Sequence, residues 1–110
     1  MNQCFISGHL GNDPAVFYSS EGVPVTTFSL AFRAGKDKTG WVKVVCFNGL
    51  ADVAGKYLHK GAKVVVAASL DQKEWENEGQ KRSNLQLLAQ SIEFIKTDGR
   101  GMDQGQESTK

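Results

Sequence analysis

Apolar and polar residues alternate with a period of two through most of this chain, and a helical period interrupts the alternation once. Alternating runs begin near residues 2, 15, 23, 41, 63 and 83 and are separated by turn sequences such as GNDP, GKDKTG and ENEG. A side-chain period of two is typical of strands with one face on a core. The pattern therefore predicts an all-β protein, and 110 residues are enough for one core but not two.

The interruption is the segment GLADVAGKYLH, residues 49–59. Its apolar residues fall at i, i+3, i+4, i+7 and i+8, which is one face of a helix: Leu50, Val53, Ala54, Tyr57 and Leu58. A small all-β chain must cover its edge strands, and closing the sheet into a barrel does so. We therefore expect an OB-fold over residues 1–96, a five-stranded Greek-key barrel with one helix between strands 3 and 4 and a short extra strand after the first. Residues 97–110, rich in Gly, Asp and Gln, are expected to form a short disordered tail.

Composition excludes several classes of function. The net charge of +1 argues against a strongly basic nucleic-acid binder, although it permits a local basic stripe. Cysteine and histidine spacings predict no metal and no cofactor, and neither His9 nor His59 has a nucleophile nearby, so we expect no enzyme.

Cys4 and Cys46 lie in apolar strands and are expected to be buried free thiols, with an inter-strand disulfide as the alternative. Without a signal peptide or long apolar span, the chain is expected to be intracellular, without a membrane partner.

The strand WVKVVCF, residues 41–47, is apolar on both faces. Val42, Val44 and Cys46 make a good core face, which leaves Trp41 and Phe47 on the other side with Lys43 between them. Aromatic side chains interleaved with cations are what a single-stranded nucleic acid needs, since bases stack on rings and phosphates pair with cations.

Two further groups of residues fall on the same side of such a barrel. Counting by twos along the next strand gives Ser69, Asp71, Lys73 and Trp75, and the preceding hairpin carries Arg33, Lys36 and Lys38. Each group has a structural alternative: an inverted 41–47 strand, packing of Trp75 under its hairpin, and hairpin cations that are only solvated. Phe32 shares its strand face with Phe28 and Leu30, which favours a core position.

Several motifs resemble the bacterial single-stranded DNA-binding protein (SSB) family over residues 2 to about 95. They are GHLGNDPAVFY, FSLA, WVKVVCFNGLADVAGKYLHKG and LDQKEWENEGQKR. The resemblance implies an OB-fold that assembles as a homotetramer, with a dimer as the alternative, and that binds single-stranded DNA. It implies base stacking on Trp41, Phe47 and Trp75. The full set of predicted DNA-binding residues adds the cations Lys43, Lys73, Arg33, Lys36, Lys38, Lys81 and Arg82.

Departures from the family pattern predict weaker DNA binding. The hairpin RAGKDKTG is short and lacks a further stacking Trp, with Lys36 at the nearest position. Asp71, Glu74 and Gly49 stand where family members often carry basic residues, and each lost cation removes a phosphate contact. Phe17 replaces a usual Arg, and Val42 a His that supports tetramer contacts. The family's acidic tip, ending in Phe, is absent from GMDQGQESTK, so no docking of partners through it is expected.

Two functions follow from these features. The first is sequence-independent binding and protection of single-stranded DNA in replication, recombination or repair, in the cytoplasm with the nucleoid or in an organellar stroma or matrix. The second is an SSB-like accessory module, primosomal or hetero-oligomeric, that acts mainly through protein contacts. The retained aromatic set favours the first, because exposed aromatics without a ligand invite aggregation.

Overall fold

The computed structural model describes residues 1–95, which form six strands and one helix. In chain order these are β1 (Cys4–Leu10), β2 (Ala15–Tyr18), β3 (Pro24–Gly35), β4 (Lys38–Phe47), α1 (Asn48–Tyr57), β5 (Lys63–Asn77) and β6 (Gln80–Ile95). The predicted tail, residues 97–110, and residue 96 of the predicted domain lie outside the described residues.

Five of the strands form a closed barrel. Neighbouring strands follow the order β1–β5–β6–β4–β3, and β1 pairs again with β3 through His9–Ala31 and Leu10–Leu30. Within residues 1–95, the short extra strand β2 pairs only with β3, and α1 lies between β4 and β5. The predicted all-β OB-fold is therefore confirmed.

Closure of the barrel depends on the missing side chain of Gly8. This residue is buried in β1 beside β3, and a Cβ at its position would overlap the carbonyl oxygen of Ala31. The obstacle is backbone in a hydrogen-bonded strand, which cannot rotate away as a side chain can. Glycine therefore lets β1 approach β3 closely enough to complete the barrel.

The core lies inside the barrel and under α1. The strands contribute Leu10, Phe28, Leu30, Val44, Cys46, Val64, Val66, Ala68 and Leu87, and the helix and its end contribute Ala51, Ala54 and Leu58. Thr26 is the buried polar side chain of this region, and its Oγ1 donates a 2.7 Å hydrogen bond to the Ala51 carbonyl oxygen. This bond joins the helix to β3 and satisfies the hydroxyl away from water.

The predicted helix face is partly wrong. Ala54 and Leu58 are buried and Leu50 is half-buried, but Val53 and Tyr57 are 40% and 57% exposed, and Ala51 takes a buried position instead. The helix packs closely on β3, where the small side chain of alanine fits. The larger Tyr57 lies at the margin and faces Phe94, with ring centroids 6.4 Å apart.

Both cysteines are free thiols, so the alternative of a disulfide is wrong. Cys46 is fully buried, and this burial raises the pKa of its thiol to about 11 because a thiolate would lose its hydration. Cys4 is only half-buried, since it lies where β1 borders the open mouth of the barrel.

Within residues 1–95, no helix is both long and apolar enough to cross a membrane.

We expect Gly8→Ala to destabilise the protein by about 3 kcal/mol, the upper end of the range for overpacking, because the added methyl meets backbone. Urea denaturation followed by circular dichroism measures the change. The matched control is Gly49→Ala: this helical residue has nothing within 4 Å of an added Cβ, so the control should retain or slightly raise stability. Equal denaturation midpoints for Gly8→Ala and wild type would contradict this account of closure.

Candidate nucleic-acid interface

The two faces of β4 separate as predicted. Opposite β3, Val42, Val44 and Cys46 align with Leu30, Phe28 and Thr26 of the core face. Trp41 and Phe47 lie on the outer face and are 62% and 43% exposed. The alternative of an inverted strand is therefore wrong, and Lys43 stands between the two aromatic rings on the outside of the barrel.

Lys43, Lys73 and Trp75 line one groove on this outer face. The groove has a volume of about 380 Å³, and Asn84 and Gln86 of β6 complete its lining. Strand register explains the grouping, since Lys73 pairs with Asn84 across β5–β6 and Lys43 pairs with Gln86 across β4–β6. Trp75 is 43% exposed. The groove thus holds one aromatic ring, two ammonium groups and two amides, which can accept a base and the phosphates beside it.

The acidic residues Asp71 and Glu74 of β5 do not both face this groove. Asp71 is on the groove side, but it is half-buried and its Oδ2 accepts a 2.9 Å hydrogen bond from Nε2 of Gln86. Glu74 lies between Lys73 and Trp75 in the alternation of β5 and therefore faces the other side, opposite Ser83. One of the two carboxylates is thus held by an amide and the other points away from the groove.

Trp41 lies at the rim of the barrel mouth and leans across β3. Its six-membered ring reaches the position that a Cβ of Gly11, at the end of β1, would occupy. The mouth is a mostly apolar cavity of about 450 Å³, bounded by residues that include Trp41, Phe32, Leu85 and Asn84. Asn84 also lines the Trp75 groove, so the two tryptophans border neighbouring cavities. Phe32, expected in the core, is half-buried at this mouth.

Phe47 lies at the far end of β4, about 20 Å from Trp41 at about 3.3 Å per residue. It pairs with Val25, which pairs in turn with Phe17 of β2, so the two phenylalanines flank a buried valine. Phe17 is 49% exposed. Phe17 thus places a second exposed ring across β3 from Phe47.

The three predicted cations of the β3–β4 hairpin do not lie together. Lys36 and Asp37 form the two-residue turn, so Lys36 is at the exposed tip and outside the cavities described above. Arg33 and Lys38 lie nearer the barrel and line a separate cleft on the β1 side.

The β5–β6 hairpin separates Lys81 from Arg82. It turns at Glu78 and Gly79, both with positive φ, so the strands pair as Trp75–Arg82 and Glu76–Lys81. Arg82 therefore shares the face of Trp75, and Lys81 lies on the opposite face.

The sequence analysis missed Asn84 and Gln86. A two-residue turn at Glu78–Gly79 fixes the pairing of β6 with the end of β5, and counting across that turn would have placed both amides opposite Lys73 and Asp71. No pattern in the sequence indicates that β6 contacts Lys43, because β4 and β6 are far apart in the chain and pair in parallel.

Among residues 1–95, no three His, Cys, Asp or Glu side chains come together in a way that would hold a metal ion.

Gly11→Ala should displace the ring of Trp41 at little cost in stability, because the added methyl meets the free end of a side chain. We expect the Trp41 emission to move to longer wavelength as the ring leaves the Gly11 backbone, measured with Trp75→Phe as background so that Trp41 is the sole tryptophan. The unfolding free energy should change by no more than about 1 kcal/mol. Gly49→Ala in the same background is the control, and an unchanged emission in Gly11→Ala would contradict the contact.

Comparison with known proteins agrees with this geometry. The model of the "Single-strand binding protein family" matches residues 1–95. The chain is 31% identical over 105 residues to "Single-stranded DNA-binding protein 1" of Xylella fastidiosa (strain 9a5c), covering 86% of this chain and 77% of that protein. In an alignment of 113 positions it is 33% identical to "Single-stranded DNA-binding protein" of X. fastidiosa (strain Temecula1), covering 93% of this chain and 69% of that protein. The chain therefore belongs to the single-strand binding protein family.

Proposed function

We propose that the chain binds single-stranded DNA without sequence preference and protects it during replication, recombination or repair. The observation that carries this proposal is the Trp75 groove, where Lys43 and Lys73 stand beside an exposed ring and next to the rim formed by Trp41. The relatives named for single-stranded DNA binding support the same function.

Stacking accounts for the lack of sequence preference, since every base has a π-face. In single-strand-binding OB-folds, the class to which this chain belongs, alanine substitution puts stacking at about 1–3 kcal/mol per base. The predicted platforms Trp41, Phe47 and Trp75 all lie exposed on the outer face. Lys43 and Lys73 then supply charge for the phosphates between stacked bases.

We expect affinity in the micromolar rather than the nanomolar range, because the chain carries few cations for phosphate contacts. The absence of a cation at Asp71 and Gly49 removes phosphate contacts, and the Asp71 side chain is already occupied by the hydrogen bond that it accepts from Gln86. The binding constant should therefore fall with salt less steeply than in a more basic member of the family.

Trp41→Ala and Trp75→Ala should each weaken binding to a fluorescein-labelled oligo(dT) by roughly tenfold or more, the equivalent of one lost stacking contact. Fluorescence anisotropy at several salt concentrations measures the affinity, and the salt slope should stay unchanged because no cation is removed. Tyr18→Ala, which removes an aromatic ring that is 66% exposed on β2, is the control. Absence of oligo(dT) binding by wild type, even at low salt, would refute the proposal.

The same variants separate DNA binding from the alternative of an accessory module. Loss of DNA binding with assembly intact supports a DNA binder, whereas loss of assembly on removal of Trp41 and Trp75 supports a module that works through protein contacts.

We further propose that the chain assembles with copies of itself through β1. On one side β1 pairs with β5 from Cys4 to His9, but on the other its pairing with β3 begins only at His9. Within residues 1–95 the stretch Cys4–Ser7 therefore has a strand neighbour on one side only, and such an edge is a template for pairing with another chain. Phe5, 69% exposed in this stretch, would be covered by a second copy.

Sedimentation velocity tests this assembly, for which we expect a homotetramer with a dimer as the alternative. Phe5→Lys should shift the protein to smaller species, because a charge on an edge strand opposes pairing. Tyr18→Lys is the matched control, since Tyr18 has similar exposure on the other edge strand, β2. A shift with Tyr18→Lys and none with Phe5→Lys would place the interface elsewhere, and a monomeric wild type would refute self-assembly.

A further inference from the structure

The junction between β4 and α1 is the dipeptide Asn48–Gly49. Both residues are exposed, and they follow Phe47, the last residue of β4. Asn48 has a φ of 57°, a left-handed conformation that asparagine adopts more readily than most residues with a side chain. An exposed side-chain amide therefore stands directly before a residue that has no side chain.

The backbone nitrogen of Gly49 is accessible to this amide. The first N–H groups of a helix have no acceptor inside it. Within residues 1–95, no capping side chain accepts a hydrogen bond at the start of α1. Nothing in the described chain lies within 4 Å of the position that a Gly49 Cβ would occupy. Neither a capping side chain nor a crowded neighbour thus holds this nitrogen in place.

The other asparagines of the described chain differ from Asn48. The side chains of Asn2, Asn12 and Asn84 make hydrogen bonds to backbone groups. Asn77 precedes a glutamate, whose side chain crowds its own backbone nitrogen. Among residues 1–95, Asn48 is the asparagine that combines a following glycine with a side-chain amide that makes no hydrogen bond.

We propose that Asn48 is a deamidation site, at which an aspartate or isoaspartate carboxylate replaces the amide and weakens DNA binding. The Gly49 nitrogen attacks Cγ of Asn48, and the new C–N bond closes a succinimide ring. The side-chain nitrogen leaves as ammonia and takes up the proton that the Gly49 nitrogen loses. Water then opens the ring at either carbonyl, so the overall reaction consumes water and needs no other reactant.

The new carboxylate suits the start of α1 but not a DNA strand. Aspartate tolerates the left-handed conformation, and a negative charge near a helix N-terminus interacts favourably with the helix dipole. The same charge lies next to Phe47, one of the predicted stacking residues, where it repels the phosphates beside a stacked base. Conversion to aspartate therefore keeps the fold and lowers affinity for DNA. This effect on DNA rests on the proposed function, whereas the modification itself does not.

Assembly through β1 leaves the junction accessible. Phe47 pairs with Val25 of β3, whereas β1 meets that strand at Leu30 and Ala31. About 20 Å separates Val25 from Ala31 along β3, at about 3.3 Å per residue. The edge Cys4–Ser7 runs farther away still, because β1 is antiparallel to β3. A second copy paired on that edge would not cover Asn48.

Peptide mapping of the purified protein after incubation tests the modification. Trypsin releases residues 44–56 as one peptide, in which Asn48 is the only amide side chain. Mass spectrometry with chromatography should show its conversion to aspartate and isoaspartate forms. Conversion should be faster at mildly alkaline than at mildly acidic pH, because the attacking nitrogen must lose its proton. A sample digested without incubation gives the background, and Asn12 and Asn77 in the same digest should keep their amides.

Gly49→Ala is the matched control for the modification. The added methyl group meets nothing in the fold, but it hinders closure of the succinimide ring. Conversion at Asn48 should therefore be largely lost. Survival of the Asn48 amide in incubated wild type, or equally fast conversion in Gly49→Ala, would overturn the proposed site.

Asn48→Asp measures what the charge does to DNA binding, by anisotropy with labelled oligo(dT). It should bind more weakly than wild type at low salt, and the difference should shrink as salt screens the charge. Asn48→Gly keeps the left-handed conformation without an amide or a charge, and it should bind like wild type. Urea denaturation midpoints measured in parallel show whether unfolding contributes to any loss.

The outcomes separate this inference from the proposed function. Equal affinities of Asn48→Asp and wild type for oligo(dT) would overturn the effect on DNA while the binding function stands. If wild type does not bind oligo(dT), the proposed function fails, and the effect on DNA fails with it. The peptide map then still decides whether Asn48 is a deamidation site.

Discussion

The close approach of β1 to β3 at Gly8 is the contact on which the molecule's two surfaces depend. It closes a curved sheet into a barrel, so that each strand acquires an inside and an outside. Burial of Phe28, Leu30 and Val44 then fixes the register of β3 against β4, because a slip of one residue would turn the core outward. The same constraint keeps Trp41 and Lys43 outside. Core packing and exposure of the candidate site are therefore two results of one register.

The sequence correctly predicted those side-chain positions that depend only on the alternation of a strand. The outward positions of Trp41, Phe47 and Trp75 follow from alternation, and β5 keeps its alternation because the irregularity near Ala67 and Ala68 is accommodated by an extra residue in β6. The helix face was partly wrong, because helical periodicity does not distinguish a small side chain that permits close packing from a larger one. Ala51 is buried for this reason and Tyr57 is not.

The cavities were beyond sequence reasoning. They form where strands far apart in the chain come together: Lys43 with Gln86 in one groove, and His9 with Lys63 and Arg33 in another. A nearly neutral chain can therefore concentrate cations locally. The placement of Glu74 on the opposite face from Trp75 shows why a count of charges along a strand does not give the charge that a ligand would meet.

The parallel contact between β4 and β6 is short, with three residue pairs from Lys43–Gln86 to Val45–Leu88. It is a narrow seam in the barrel wall and lies directly beneath the Trp75 groove. Lys43 lines this groove on the β4 side of the seam, and Lys73 and Trp75 line it on the other side. A strand of DNA lying in that groove would bridge the seam. Its binding free energy would then be linked to closure of the wall, so that the occupied protein opens less readily than the empty one.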